Sequence, residues 1–360
     1  MTETQQRLRY FLGANSSVGF ASLYEQWIDQ RSVRAFYVIK GGPGCGKSTL
    51  MKRLAQRAEA RGERVERILC SGDPDSLDGI LLPEKGVALA DGTAPHRLDP
   101  LFPGVTGHYV DLGAGYDRQS LSGLREEILA ASDDCRVCWP KASQCFRAAA
   151  ESLRRGRAPL HTEKTLEKAG RRAAGLLSRE LRARREGRGR VSRRFLGGAT
   201  CRGRLLLTDT VSVLCERGWL IRDDCGLADL LLRRLEAGFL EAGYDVISCP
   251  DPLRPERLAH LLVPDRSLAF LTGPAEGLDG FRTIRTDSLV EPEAWQEGRS
   301  FLQLSLRVAE DLVEEGMDHL ARAKEAHDRL EALYRPYVDF SLADRLAETL
   351  DREIAALPAL

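Results

Sequence analysis

Short apolar runs alternate along the chain with longer stretches in which apolar residues recur every three or four positions. The short runs at 36–40, 65–70 and 87–91 predict buried strands. After the first of these runs, residues 50–55 carry apolar residues at helical spacing, which predicts a helix. Strands that alternate with helices are typical of an α/β fold.

The turn between the first predicted strand and the first predicted helix matches the phosphate-binding loop pattern G-x-x-x-x-G-K-[ST] in full. Glycines let backbone N–H groups turn inward around phosphates, and the N-terminus of the next helix favours the anion. We expect Lys47 to reach the β and γ phosphates of a nucleotide and Ser48 to bind Mg²⁺. The predicted nucleotide-binding residues are Gly41, Gly42, Pro43, Gly44, Cys45, Gly46, Lys47, Ser48 and Thr49.

A magnesium site needs a second anchor, and the apolar run at 87–90 ends in Asp91. We predict that Asp91 holds Mg²⁺ together with Ser48, with Asp111 as a competing candidate because it also follows an apolar pair. The next residue is Gly92, where many ATPases have a glutamate that activates water. Hydrolysis is therefore expected to be slow or to use another base.

The acidic segment 73–78 offers such a base, because it follows a predicted strand and strand ends in these sheets face the ligand crevice. Asp73 is therefore a candidate catalytic residue beside Lys47 and Asp91, and the alternative is a structural role, since Asp-Pro is a common turn former. His96 is a candidate sensor of the γ-phosphate or, alternatively, a histidine of a surface loop.

The chain also contains an internal repeat with an offset of about 180 residues. Six short segments recur in the same order in the second half. The pairs are 11–14 with 195–198, 37–40 with 219–222, 52–54 with 233–235, 70–74 with 249–252, 80–83 with 261–264, and 87–89 with 268–270.

The second copy lacks the phosphate-binding loop. Where the first copy has its glycines and lysine, the second has acidic residues at 223, 224 and 229, and Thr272 falls opposite Asp91. Repulsion by these carboxylates is expected to exclude a nucleotide from the second copy.

Each copy ends in a stretch of helical periodicity, at 117–186 and 300–356, that could pack on the other stretch or cover the site. The sequence thus predicts an α/β fold of two tandem P-loop NTPase-like three-layer αβα units, each with a helical extension. The predicted domains are 1–190, with the active loop, and 191–360, with the degenerate repeat.

Composition narrows the class of protein further. The chain has 360 residues and equal numbers of acidic and basic residues, 53 each, which argues against a protein that coats nucleic acid. Residues 141–204 nevertheless carry a local excess of basic residues, concentrated in Arg171 to Arg194. This basic segment is expected to pair with acidic residues elsewhere, and contact with an anionic ligand or nucleic acid is the alternative.

The location and the redox state of the protein can also be predicted. The chain has neither an export signal nor an apolar stretch long enough to span a membrane, so a cytoplasmic location and no membrane contact are expected. Its nine cysteines are scattered and are expected to be reduced. Cys135 and Cys138 form a CxxC pair without a second pair, so we expect incidental helix cysteines rather than a zinc site.

The phosphate loop, the segments CSGDPDSLDG and ADGTAPH, and the degenerate second copy resemble a family of largely uncharacterised bacterial P-loop ATPases with two tandem halves. The resemblance covers nearly the whole chain. It implies the fold and an ATP site at Gly41 to Thr49 with Asp91, without naming a substrate.

Three functional classes remain open from the sequence. The first is a Mg²⁺-dependent ATPase or ATP-driven switch with one nucleotide site, in which case a further small molecule or a protein would be the partner. The second is a small-molecule or nucleotide kinase, in which an aspartate such as Asp73 orients the acceptor hydroxyl. The third is a nucleotide-regulated protein that binds nucleic acid through the basic segment. ATP is favoured over GTP because the sequence lacks an [NT]KxD element.

Overall fold

A computed structural model describes residues 8–94, 98–181, 183–273, 277–278 and 280–360. Its framework consists of two six-stranded mixed sheets, each flanked by helices. The predicted fold class, α/β with two tandem three-layer αβα units, is therefore confirmed.

The first unit carries the predicted phosphate loop at the end of a strand that lies between two parallel neighbours. Its strands are β1 (Leu8–Phe11), β2 (Gly13–Ser16), β3 (Gly19–Ser22), β4 (Ala35–Lys40), β5 (Glu66–Leu69), β6 (Leu77–Leu82), β7 (Val87–Asp91) and β8 (Gly107–Asp111). The sheet has the order β1-β5-β6-β7-β4-β8, and β2 and β3 form a separate hairpin. Because β7 and β8 are parallel to β4, all three end at the same edge of the sheet.

The second unit repeats this arrangement strand for strand. Its strands are β9 (Val191–Arg193), β10 (Gly197–Thr200), β11 (Gly203–Leu206), β12 (Arg217–Arg222), β13 (Val246–Pro250), β14 (Leu258–Val263), β15 (Leu268–Thr272) and β16 (Arg282–Arg285). The sheet order β9-β13-β14-β15-β12-β16 is that of the first sheet. Asp91 pairs with Ile39 in the first sheet, and Thr272 pairs with Ile221 in the second, as the sequence repeat predicts.

The two units meet where equivalent residues of the repeat face each other. Phe11 and Phe195 form an antiparallel bridge in which each backbone N–H donates to the other's carbonyl at 2.9 Å. Both side chains are buried. The cluster of buried apolar residues around them draws on both sheets, so the two units share a continuous core.

Nine helices connect and cover the sheets of the described chain. They are α1 (Tyr24–Trp27), α2 (Lys47–Ala60), α3 (Arg118–Gly123), α4 (Arg125–Arg157), α5 (Glu163–Glu180), α6 (Thr208–Leu214), α7 (Ala228–Glu241), α8 (Pro292–Tyr334) and α9 (Phe340–Ala356).

The terminal helices of the two extensions are exchanged between the units. Helix α5 follows the first sheet along the chain, but its buried face, including Leu176, joins the core around α7 of the second unit. Helix α9 follows the second sheet, but Leu350 joins the core around α2 of the first unit. Arg61, the residue that follows α2, also pairs with Asp351 of α9 at 2.7 Å. The first sheet ends at Asp111 and the second begins at Val191, whereas α5 and α9 each pack on the other unit. The domain bounds 1–190 and 191–360 stay a prediction.

The long helices α4 and α8 carry the chain between the units and pack on each other. Small residues permit their close approach: a Cβ on Gly316 would lie 2.4 Å from the ring of Phe146, and one on Gly156 would lie 2.4 Å from Ser305. The predicted extensions therefore pack on each other, and through α8 and α9 they also cover one face of the first unit's site.

Candidate functional site

The predicted phosphate loop has the backbone of an anion-binding loop. It joins β4 to the 14-residue helix α2, and three of its glycines have positive φ angles: 154° at Gly41, 69° at Gly44 and 94° at Gly46. At Gly41 a side chain is also excluded by space, since a Cβ would lie 2.5 Å from the Cys45 sulfur. Glycines in left-handed conformations before a helix N-terminus are typical of loops that bind anions through backbone N–H groups.

Lys47 is the first residue of α2, and its ammonium lies inside the loop. Its Nζ donates to the carbonyl oxygens of Gly41 and Gly42, each at 2.9 Å. The same nitrogen lies 3.7 Å from Oδ2 of Asp91. Both side chains are largely buried, so the structure brings the predicted lysine and the predicted magnesium ligand into one site.

Asp91 reaches the site because β7 is parallel to β4 and ends beside it. Its Oδ1 accepts hydrogen bonds from the backbone N–H of Thr93 at 2.8 Å and from the Thr93 hydroxyl at 2.6 Å. These bonds hold the carboxylate in one orientation, with Oδ2 facing Lys47. The competing candidate, Asp111, ends β8 on the other side of β4, where its carboxylate accepts from the N–H of Gly113 at 2.8 Å.

Ser48 and Thr49 occupy the first turn of α2. The Ser48 hydroxyl oxygen accepts a hydrogen bond from the N–H of Leu77 at 2.9 Å and keeps a second lone pair. The site thus contains an ammonium group, inward N–H groups, a hydroxyl and a carboxylate oxygen. This donor set fits a nucleotide polyphosphate with Mg²⁺, because Mg²⁺ takes oxygen ligands together with substrate phosphates.

Asp73 lies in a turn after β5 and forms the hydrogen bonds of an Asx turn. Its carboxylate accepts from the Ser76 hydroxyl at 3.0 Å and from the Asp75 N–H at 3.2 Å. It also lies 3.6 Å from Nζ of Lys324, a residue of α8. These contacts fit the structural role that was the alternative for Asp73. Its catalytic role stays a prediction. His96 lies outside the described residues.

Helices α8 and α9 form one wall of the site, and the sequence did not single out the residues that contact the loop there. Oε1 of Glu331 accepts a hydrogen bond from the N–H of Gly44 at 3.3 Å. The hydroxyl of Tyr116 donates to the carbonyl of Pro43 at 2.9 Å, and its ring packs against Tyr334. Next to these contacts, an open cleft of about 580 Å³ lies between residues 114–117 and 336–345.

The degenerate loop of the second unit contains its own carboxylate at the start of α7. Oδ1 of Asp223 accepts from the N–H groups of Leu227 at 2.7 Å and Ala228 at 3.0 Å. Burial raises the pKa of this carboxyl group. In the second unit, the N–H groups at the start of α7 are therefore occupied by a carboxylate of the loop itself.

Arg157, at the end of α4, holds the outer side of the same loop. It donates to the carbonyl oxygens of Asp223 at 3.1 Å and Asp224 at 2.9 Å. Burial lowers the pKa of its guanidinium group to about 10. Asp229 stands at the position of Ser48 and accepts from the N–H of Leu258 at 2.7 Å, as Ser48 does from the equivalent Leu77.

Several arginines of the basic segment contact acidic groups. Arg190 pairs with Asp245 at 3.0 Å, and Arg185 pairs with Asp265. Arg194 lies 3.3 Å from Glu66 of β5, so it links the two units. Arg182 lies outside the described residues.

The described cysteines are all free thiols. Cys135 and Cys138 lie on α4, as predicted for helix cysteines. In the part of the chain that the structure describes, the metal-ligating side chains that come together are His327, Asp328 and Glu331, with no cysteine among them. In the described part of the chain, no helix is both long enough and apolar enough to span a membrane.

Comparison with known proteins gives one local match. A family model described as Nephrocystin 3, N-terminal, matches residues 20–79, about a sixth of the chain. The matched segment contains the phosphate loop and α2. The searches of curated proteins and of solved structures each returned no match.

Proposed function

We propose that the chain binds ATP with Mg²⁺ through residues 41–49 and acts as a Mg²⁺-dependent ATPase or ATP-driven switch of the P-loop class. The observation that carries this proposal is the position of Lys47, within an anion-binding loop and 3.7 Å from the Asp91 carboxylate. The resemblance to bacterial P-loop ATPases with two tandem halves belongs to the same proposal.

In this proposal each group has a separate task. The loop N–H groups and the Lys47 ammonium neutralise the phosphates, and Mg²⁺ supplies further neutralisation when bound by Ser48 and Asp91. Gly92 leaves the position after Asp91 without a carboxylate, so a water molecule must be activated by another group. We therefore expect slow turnover, in keeping with a switch.

We also propose a single nucleotide site for each chain. In the second loop the Asp223 carboxylate already accepts the two N–H groups at the start of α7. Ala228 stands at the position of Lys47, so the second loop offers a phosphate neither a free N–H group there nor an ammonium group.

Titration calorimetry with ATP and Mg²⁺ tests this function directly. Wild type is expected to bind one ATP per chain, and Lys47→Ala to weaken binding about 10- to 100-fold, because a hydrogen-bonded charge is lost. Lys52→Ala, on the same helix but outside the loop, is the matched control and should bind as wild type does. Two equivalent sites, or an unaffected Lys47→Ala variant, would contradict the proposal.

ADP release should then be followed with and without added acceptors. Release that does not depend on an acceptor supports the ATPase, whereas release that requires a particular small molecule or nucleotide would favour the kinase alternative.

A further inference from the structure

The phosphate loop of the first unit is contacted by a carboxylate from a distant part of the chain. Glu331 lies near the end of α8, 287 residues from Gly44, and its Oε1 accepts the Gly44 N–H at 3.3 Å. The backbone of the same helix lies against the loop, since a Cβ on Gly44 would be 3.3 Å from the Glu331 carbonyl oxygen. Both the side chain and the backbone of Glu331 thus contact the loop.

The Glu331 carboxylate contacts the loop through a backbone N–H group, as a bound phosphate would. The loop N–H groups and the N-terminus of α2 attract anions, and the Glu331 carboxylate is an anion. A backbone N–H has one hydrogen to donate, so Gly44 cannot donate fully to Glu331 and to a nucleotide phosphate at once. A phosphate cradled by this loop would compete with Glu331.

The second unit provides a comparison within the same molecule. Its loop also holds a carboxylate on its N–H groups, but that carboxylate is Asp223 of the loop itself. A residue of the loop stays beside these N–H groups wherever the neighbouring helices lie. In the first unit the carboxylate comes from another element, so it can leave when the helix end moves.

We propose that Glu331 is an autoinhibitory residue, which occupies the phosphate loop in the nucleotide-free chain and is displaced when a nucleotide phosphate binds. This inference rests on the proposed function, because it concerns the same site. Displacement of Glu331 shifts the end of α8, which packs along α4, and α4 ends in Arg157 on the loop of the second unit.

The test compares nucleotide affinities of Glu331→Ala with those of wild type, measured by calorimetry with ATP, ADP and adenosine. ATP and ADP should bind about five- to tenfold more tightly to the variant, because a competing hydrogen-bonded charge is gone. Adenosine carries no phosphate, so its affinity should not change. Glu325→Gln, which removes an exposed charge from the same helix, is the control and should match wild type.

A second measurement follows the helix itself. Backbone amides of residues 328–334 should exchange hydrogen faster when wild type is saturated with ATP, and should not respond in Glu331→Ala. Should Glu331→Ala be poorly folded, Glu331→Gln removes the charge with little change in volume, and the same but smaller gain in affinity is expected.

The outcomes separate the inference from the function on which it rests. If wild type binds ATP, Lys47→Ala weakens binding, and Glu331→Ala binds ATP equally or more weakly, the inference is overturned and the ATP site stands. Slower exchange at 328–334 with ATP would also overturn it. If neither wild type nor Glu331→Ala binds ATP, the proposed function fails and the inference fails with it.

Discussion

Phe11 and Phe195 occupy the same position in the two copies of the repeat, and each donates its backbone N–H to the other's carbonyl at 2.9 Å. A bridge between equivalent residues means that an approximate twofold axis passes between them. The two units are thereby joined through buried backbone and aromatic rings, and not by a solvent-exposed linker alone.

Removal of one of these phenylalanine rings should destabilise the whole chain. We expect Phe195→Ala to lower the free energy of unfolding by about 3 to 5 kcal/mol, because a fully buried ring leaves a cavity in the shared core. Phe301→Ala, at an exposed position of α8, should cost less than about 1 kcal/mol. Urea unfolding measures both, and equal effects would show that the junction is not part of the core.

The helix exchange predicts that each terminal helix protects the distant unit. Leu350→Ala in α9 should accelerate hydrogen exchange of the amides in α2, and Leu176→Ala in α5 should do so in α7. Each substitution is expected to cost about 2 to 5 kcal/mol. The exchanged packing would be contradicted if Leu350→Ala loosened α7 and left α2 protected.

Replacement of Asp91 separates metal binding from nucleotide binding. If the proposed site holds Mg²⁺, Asp91→Asn should weaken Mg²⁺-dependent binding and turnover far more than binding of ATP without Mg²⁺, because it removes the charge proposed to bind the metal. Asp111→Asn is the matched control at the end of the neighbouring parallel strand. A metal-dependent loss in Asp111→Asn but not in Asp91→Asn would identify the other strand as the metal anchor.

His260 predicts a loss of stability in mild acid. Burial lowers its pKa to about 4, with partial opposition from the charge of Asp251, and its Nδ1 accepts the N–H of Thr272 at 3.2 Å. Between about pH 6.5 and 4 the unfolded chain binds this proton and the folded chain does not, so stability falls as the pH falls. The contribution is on the order of 3 kcal/mol across that window.

The measurement is urea unfolding of wild type and His260→Gln at several values between about pH 7 and 4.5. Other groups also titrate there, so the difference between the two proteins isolates His260. Parallel stability curves would show that the buried histidine does not carry the pH dependence.

The basic segment is expected to bind nucleic acid weakly, because Arg185 and Arg190 pair with Asp265 and Asp245. Filter binding to DNA and RNA at low salt and at about 0.15 M salt tests this expectation. Submicromolar affinity at the higher salt would reverse it if the affinity is lost when Arg182, Arg184, Arg185, Arg188 and Arg190 are changed to Gln.

The local features of this fold could be predicted because they are encoded over a few neighbouring residues. The strand at 87–91 and the glycines of the phosphate loop follow from short patterns, and the repeat follows from comparing the chain with itself. Pairing of Asp91 with Ile39 then follows from the parallel strands. Their assignment to ATP and Mg²⁺ stays a prediction.

Contacts between the helical extensions and the sheets could not be read from the sequence. The apolar face of α9 fits any complementary surface, so its periodicity does not say which unit it covers. The contact between Glu331 and Gly44 depends on which unit the end of α8 covers. The sequence offered only a weak signal for it, because His327 and Glu331 are a histidine and a glutamate one helical turn apart. The hydrogen bonds of Asp223 to the N–H groups of its own loop likewise depend on the loop backbone. The residue types in the loop do not determine that backbone.

The helix exchange also means that α2 is synthesised long before the helix that covers it. The last strand of the first sheet ends at Asp111, but α9, which covers α2, begins at Phe340, about 230 residues later. At about 5 to 20 residues per second, the ribosome needs some ten seconds or more to make that stretch. During this time the face of α2 that α9 will cover is open, so the nascent first unit presents an apolar surface that a chaperone can bind before the chain closes on itself.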